Sequence, residues 1–119
     1  MTKTCDYCHT TADFETHVCA KCGANSFHRT EPPYWGGWDE NIYYNPEKCG
    51  LRIISVFDEP GLSYEYDTTL VLQDICSGKF YTVRDSGCSC PTPFENIHNF
   101  SDMQEISEWA ALHFKDPYM

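Results

Sequence analysis

Two cysteine pairs near the start of the chain constrain its folding more than anything else in it. Cys5-x-x-Cys8 is followed, after ten intervening residues, by Cys19-x-x-Cys22. Two residues between cysteines let both thiolates of a tight turn reach one tetrahedral ion, and two such turns supply four ligands. Gly23 follows the second pair and relieves its close turn. The stretch from Thr10 to Val18 is long enough for a short hairpin, with Phe14 and Val18 as its larger apolar side chains. That is too little for a free-standing core, so a bound metal must supply most of the folding free energy. The expectation is a zinc-ribbon-like module over residues 1–28, with one structural Zn2+ per chain on Cys5, Cys8, Cys19 and Cys22.

An iron–sulfur cluster is the alternative for four thiolates, but nothing nearby points to electron transfer. His9, His17 and His28 lie close to the ligands. With four thiolates at good spacing, they read as surface or supporting groups. A closed four-cysteine shell keeps no open position for water, which argues against zinc catalysis.

The other cysteines bear on compartment. Eight cysteines in 119 residues suit a disulfide framework only if the chain is exported. The start, Met1 to Cys5, enters the motif with no apolar stretch, unlike a signal peptide. No run approaches the roughly 18–20 apolar residues that span a bilayer. The expectation is a cytoplasmic protein without membrane contact, its cysteines serving as ligands or buried thiols.

The net charge is −10. Residues 1–30 balance Lys3, Lys21 and Arg29 against Asp6, Asp13 and Glu15. The whole surplus therefore lies beyond residue 30. Nonspecific nucleic-acid binding needs clustered Lys and Arg that displace counterions, so the acidic segment should repel phosphate. An acidic surface also keeps a small protein soluble.

Residues 29–47 are rich in Pro, Gly and aromatics without helical or strand period, and read as a linker. Within it Tyr34, Trp35 and Trp38 are candidate partner-binding residues, since aromatics dominate binding hot spots. They equally suit a seam between the module and the C-terminal domain. Residues 48–119 read as a small α+β domain. Gly50–Phe57 is apolar on both parities, as in a strand covered on both faces. Ser63–Ile75 alternates, with Tyr64, Tyr66, Leu70 and Leu72 on one face, as in a half-buried strand. Cys76–Lys79 is a hairpin turn, and Phe80–Arg84 returns. After a loop, Ser101 and Gln104 form a capping box for a helix whose stripe is Met103, Ile106, Ala110 and His113. The fold class is thus α+β: an N-terminal zinc ribbon, then an antiparallel three-stranded meander with a C-terminal helix.

The loop before that helix contains Gly87-Cys88-Ser89-Cys90-Pro91. One residue between cysteines is poor spacing for a thioredoxin-like dithiol. Cys88 and Cys90 remain a possible second site, as a second metal pair or a reactive thiol near Asp85 and His98; as small thiols they also suit a packed, proline-locked loop. Cys49 and Cys76 read as free thiols.

The run from Tyr43 to Glu95, with its YYNPE start, SYEYD strand and DSGCSCPTPFE ending, resembles a family of small proteins encoded largely by bacteriophages and some bacteria. That family has no assigned activity, so the resemblance transfers no functional residue. It implies context: a phage accessory protein inside a bacterial host, acting on a host or defence protein. The resulting expectation is a non-enzymatic, zinc-stabilised binding protein. The alternatives are a zinc-ribbon binder of nucleic acid or the transcription machinery, and a thiol-dependent enzyme using Cys88 and Cys90.

Overall fold

The structure is a computed structural model; it describes residues 2–31, 33–36, 39–59, 65–88 and 93–118, the side chains of Glu65 and Cys88 excepted. The N-terminal module is a three-stranded antiparallel sheet of β1 (Thr2–Cys5), β2 (Thr11–Asp13) and β3 (Phe27–Arg29), in the order β2-β1-β3. The stretch from Thr10 to Val18 gives one strand, β2, instead of a hairpin of its own. Its partner is β1, with Thr2 opposite Asp13 and Thr4 opposite Thr11.

The second sheet has four strands: β4 (Leu51–Asp58), β5 (Glu65–Asp74), β6 (Phe80–Cys88) and β7 (Gln104–Ile106), in sequential antiparallel order. The expected meander is therefore present, with one strand more. That strand takes residues assigned above to a helix. Phe80, Tyr81 and Thr82 of β6 pair with Ile106, Glu105 and Gln104, so the open edge of β6 satisfies their backbone groups. The anticipated capping box at Ser101 is replaced by one at Asn99 and Asp102, which closes a single 3-10 turn over Phe100–Asp102. The helix is only α1 (Glu108–Leu112), capped by the Ser107 hydroxyl, which accepts from Ala110 N–H at 3.1 Å. Its short length breaks the proposed stripe: Ala111 is buried, while Trp109 stacks on His113 at the surface.

The central strand is buried on both faces instead of one. Leu70, Val71 and Leu72 have no exposure. Leu70 and Leu72, with Leu51 and Val83, pack beneath Trp35, Ile42, Cys49 and Phe94. Val71 and Phe80 pack on the opposite side against Ala111, with Phe57 and Phe114 beside them. The second cover is tied down by Tyr118, whose hydroxyl donates to Asp67 Oδ1 at 2.7 Å and lies 3.1 Å from Thr69 Oγ1.

Residues 29–47 act as the first cover. Asn41, 1% exposed, accepts from the N–H groups of Tyr43 and Tyr44 and donates to Pro93 O at 2.8 Å. One buried amide therefore fixes a turn and bolts it to the segment after β6. Asp85 secures the same segment by accepting from Phe94 N–H at 2.7 Å and Tyr66 hydroxyl at 3.0 Å.

Candidate metal centre

The two Cys-x-x-Cys turns have the same backbone construction. In the first, Cys5 N–H donates to Thr10 O at 3.0 Å and His9 N–H donates to Cys5 O at 3.1 Å. In the second, Cys19 N–H donates to Ala24 O at 2.7 Å and Gly23 N–H to Cys19 O at 2.8 Å. The offsets from the first cysteine are identical. Each turn also places the residue after its second cysteine in the left-handed region, with φ 77° at Gly23 and φ 61° at His9. Glycine adopts this conformation freely, whereas histidine is strained there. The strain at His9 escaped the sequence reading, since only the second turn carries the glycine signal.

The turns bring all four sulfurs together, within 4.8 Å of one another. The Cys5–Cys22 and Cys8–Cys19 sulfurs lie 3.5 and 3.4 Å apart. Tetrahedral zinc with bonds of about 2.3 Å sets sulfurs roughly 3.8 Å apart, so this donor set fits one tetrahedral ion. The backbone favours thiolates: N–H groups of Cys8 and then Tyr7 hold the Cys5 thiol below its ordinary value. The Thr10 hydroxyl, 3.1 Å from Cys8 sulfur, and the Thr10 N–H bring Cys8 down to about 6. At Cys22 the Ala24 N–H also favours ionisation, but burial and the neighbouring sulfurs of Cys5, Cys8 and Cys19 outweigh it and push the thiol up to about 12. Four clustered thiols cannot all ionise without a cation among them.

None of the three histidines joins the sulfur cluster. His28 Nδ1 lies 2.5 Å from Asp6 Oδ1, and Asp6 also accepts from the Ser26 hydroxyl. Asp6 sits inside the first turn, so this pair braces that turn against β3.

The module is docked on the sheet, through residues that the sequence reading did not single out. Arg29, the last residue of β3, donates from Nη2 to Asp74 Oδ1 at 2.8 Å, to Cys49 O at 3.0 Å and to Gly50 O at 3.3 Å. The pair is buried, with side chains 11% and 6% exposed. Rings of Phe100, Phe14 and Trp35 lie against the guanidinium, at 4.7, 5.1 and 5.6 Å. Gly50 has φ 69°, and a Cβ there would lie 2.3 Å from Phe14 Cε2. Cys76, in the β5–β6 turn, closes the cluster of Cys5, Cys19 and Phe27. An arginine next to an aromatic-rich segment and a glycine opening a strand were the available signals. Neither signal names its partner.

Of the candidate partner-binding residues, Trp35 is buried, 3% exposed and edge-on to Phe100, whereas Tyr34 is exposed and stacked on His98 at 5.1 Å. Trp38 lies outside the described residues, as do Cys90 and the Cys88 side chain. Cys49 and Cys76 are free thiols, and burial pushes both up, Cys49 to about 12.

No helix among the described residues is long and apolar enough to cross a membrane. No curated protein and no solved structure matches the chain. A family model described as a domain of unknown function, DUF7574, matches residues 40–115. The match takes in the four-stranded sheet and α1, and it starts after the four clustered cysteines. The protein is therefore a member of the DUF7574 family, with a four-cysteine module preceding the family region.

Proposed function

We propose that this is a zinc-stapled, non-catalytic binding protein, in which one Zn2+ on Cys5, Cys8, Cys19 and Cys22 keeps the N-terminal module folded against the family domain. The observation that carries the reading is the four-sulfur cluster, set between two backbone turns of identical construction. Four thiolates suit zinc, with iron as the rival ion. With all four positions taken by protein, the metal is architectural. The partner is a protein. In the context implied by the resemblance over Tyr43–Glu95, it belongs to a bacterial host or its defences.

The nucleic-acid alternative loses support from the placement of the module's cations. Lys3 is 4% exposed, its Nζ donating to Phe14 O at 3.1 Å and lying 4.3 Å from the Phe27 ring centroid. The Arg29 charge is paired with Asp74 within the seam, with its side chain 11% exposed. Only Lys21 of the three is exposed, too little to displace several counterions.

Elemental analysis of freshly purified, reduced protein should find about one zinc per chain, and Cys19→Ser should lose it. Protein that is folded and free of metal would refute this reading.

A further inference from the structure

Between the metal module and the second sheet lies a groove of about 520 Å³. Phe27, Pro33, Tyr81 and Phe100 give it apolar walls, while Arg29, Lys79 and His28 bring basic groups to it. Such a concentration is notable in a chain of net charge −10. The two carboxylates in the lining are already engaged. Asp74 accepts from Arg29, from Cys76 N–H and from the Ser77 hydroxyl, and Asp6 accepts from Ser26 and is paired with His28.

Arg29 is held rigidly yet incompletely used. Aromatic rings lie against its guanidinium, and Nη2 makes three hydrogen bonds. Its Nε is buried without a partner, and Nη1 makes no hydrogen bond among the described residues. A guanidinium normally offers two N–H groups side by side to a carboxylate. Tyr81 lines the same groove, and its ring and the guanidinium carbon both lie against Phe100, at 4.8 and 4.7 Å. Tyr81 is 8% exposed, and no hydrogen bond to its hydroxyl occurs among the described residues. Lys79 also lines the groove, 59% exposed and in a solvent-screened pair with Glu105 at 3.5 Å.

We propose that this groove binds a monocarboxylate with an apolar body, its oxygens meeting Arg29 and the Tyr81 hydroxyl and its body lying against Phe27 and Phe100. Two donors match two carboxylate oxygens. A phosphate dianion would meet the same donors while carrying more charge toward Asp6, Asp74 and the acidic domain. Either a small organic acid or the free C-terminus of a polypeptide presents this chemistry. The inference rests on the metal reading in one respect: the module forms one wall of the groove.

The test titrates four probes into the full-length, metal-loaded protein. They are N-acetylphenylalanine, its amide, a hexapeptide acid ending in phenylalanine, and inorganic phosphate. The arginine Nε–H and backbone amide resonances report binding, and zinc is assayed in the same sample. The acid should shift the Arg29 Nε–H signal and the amides of Tyr81 and Phe100. The amide should bind about tenfold more weakly, and phosphate should cause no comparable shift. A hexapeptide tighter than the small acid identifies a polypeptide C-terminus, and equal affinity identifies a small acid. Arg29→Ala disturbs docking, so the variant used is Tyr81→Phe, which should weaken acid binding about fivefold. Full zinc occupancy with no shift at millimolar acid would overturn the groove and leave the metal reading standing. Equal binding of acid and amide, stronger binding of phosphate, or an unaffected Tyr81→Phe would overturn it as well.

Discussion

In the metal module the buried apolar cluster is Cys5, Cys19 and Phe27, completed by Cys76 from the neighbouring hairpin turn. In the family domain a single strand carries Leu70, Val71 and Leu72 with no exposure, covered on both faces. The first region has almost no apolar area of its own to remove from water. The second has enough to fold by burial, at roughly 25 cal/mol per Å². On the proposed reading the two regions hold their shape by different means, yet they meet through the hydrogen bonds of Arg29 and the close approach of Phe14 to Gly50. Perturbing the seam should therefore affect the regions unequally, and the size of each effect tests how far they depend on one another.

The largest effect at the seam is expected from Arg29→Ala. It leaves Asp74 buried beside an empty site and should cost about 3 kcal/mol in denaturant unfolding. Arg29→Lys should recover only part, because an ammonium cannot reproduce a planar donor set between aromatic rings. A loss below about 1 kcal/mol for the alanine variant would mean that docking contributes little to stability.

Gly50→Ala comes next, at about 2 kcal/mol. The left-handed backbone strains any side chain, and the new Cβ would collide with Phe14. Thermal unfolding of Gly50→Ala with and without Phe14→Ala separates the two contributions. Relief by the second substitution would assign the loss to the seam, and no relief would assign it to the family domain alone.

The smallest effect lies far from the seam. Asp67 is held down to about 2, first by Arg84 and then by Tyr118, against an ordinary value of 3.8. A carboxylate with a depressed folded value adds stability that is complete above its unfolded value and lost as pH falls through the folded one. The difference in melting temperature between wild type and Asp67→Asn should thus be steady above about pH 4 and shrink toward about pH 2. The metal module should not alter that profile. A dependence on zinc would couple the regions more widely than the seam contacts do.

The contrast also explains what could be read from the sequence. A metal site depends on ligand spacing over a few residues, so Cys5, Cys8, Cys19 and Cys22 were legible, and their sulfurs converge. Strands β4, β5 and β6 were legible from apolar runs and the Cys76–Lys79 turn. Residues 104–106 were not. Met103, Ile106 and Ala110 fit a helical spacing, and only the free edge of β6 decides for a strand. The covering role of residues 29–47 was hidden for the same reason. Trp35, Asn41 and Ile42 follow no period, and their burial depends on a sheet formed by residues that come later. Arg29 and Asp74 are 45 positions apart, and nothing local pairs them.

The most direct test of the central claim is to record amide spectra of the full-length protein before and after stripping the metal with a chelator. Metal removal should collapse the resonances of β1, β2 and β3 into the disordered region. Resonances of β5 and β6 should keep their dispersion, with shifts concentrated at Cys49, Gly50 and Asp74–Cys76. A module that stays dispersed after verified loss of metal, or a β5–β6 sheet that collapses with it, would contradict the account.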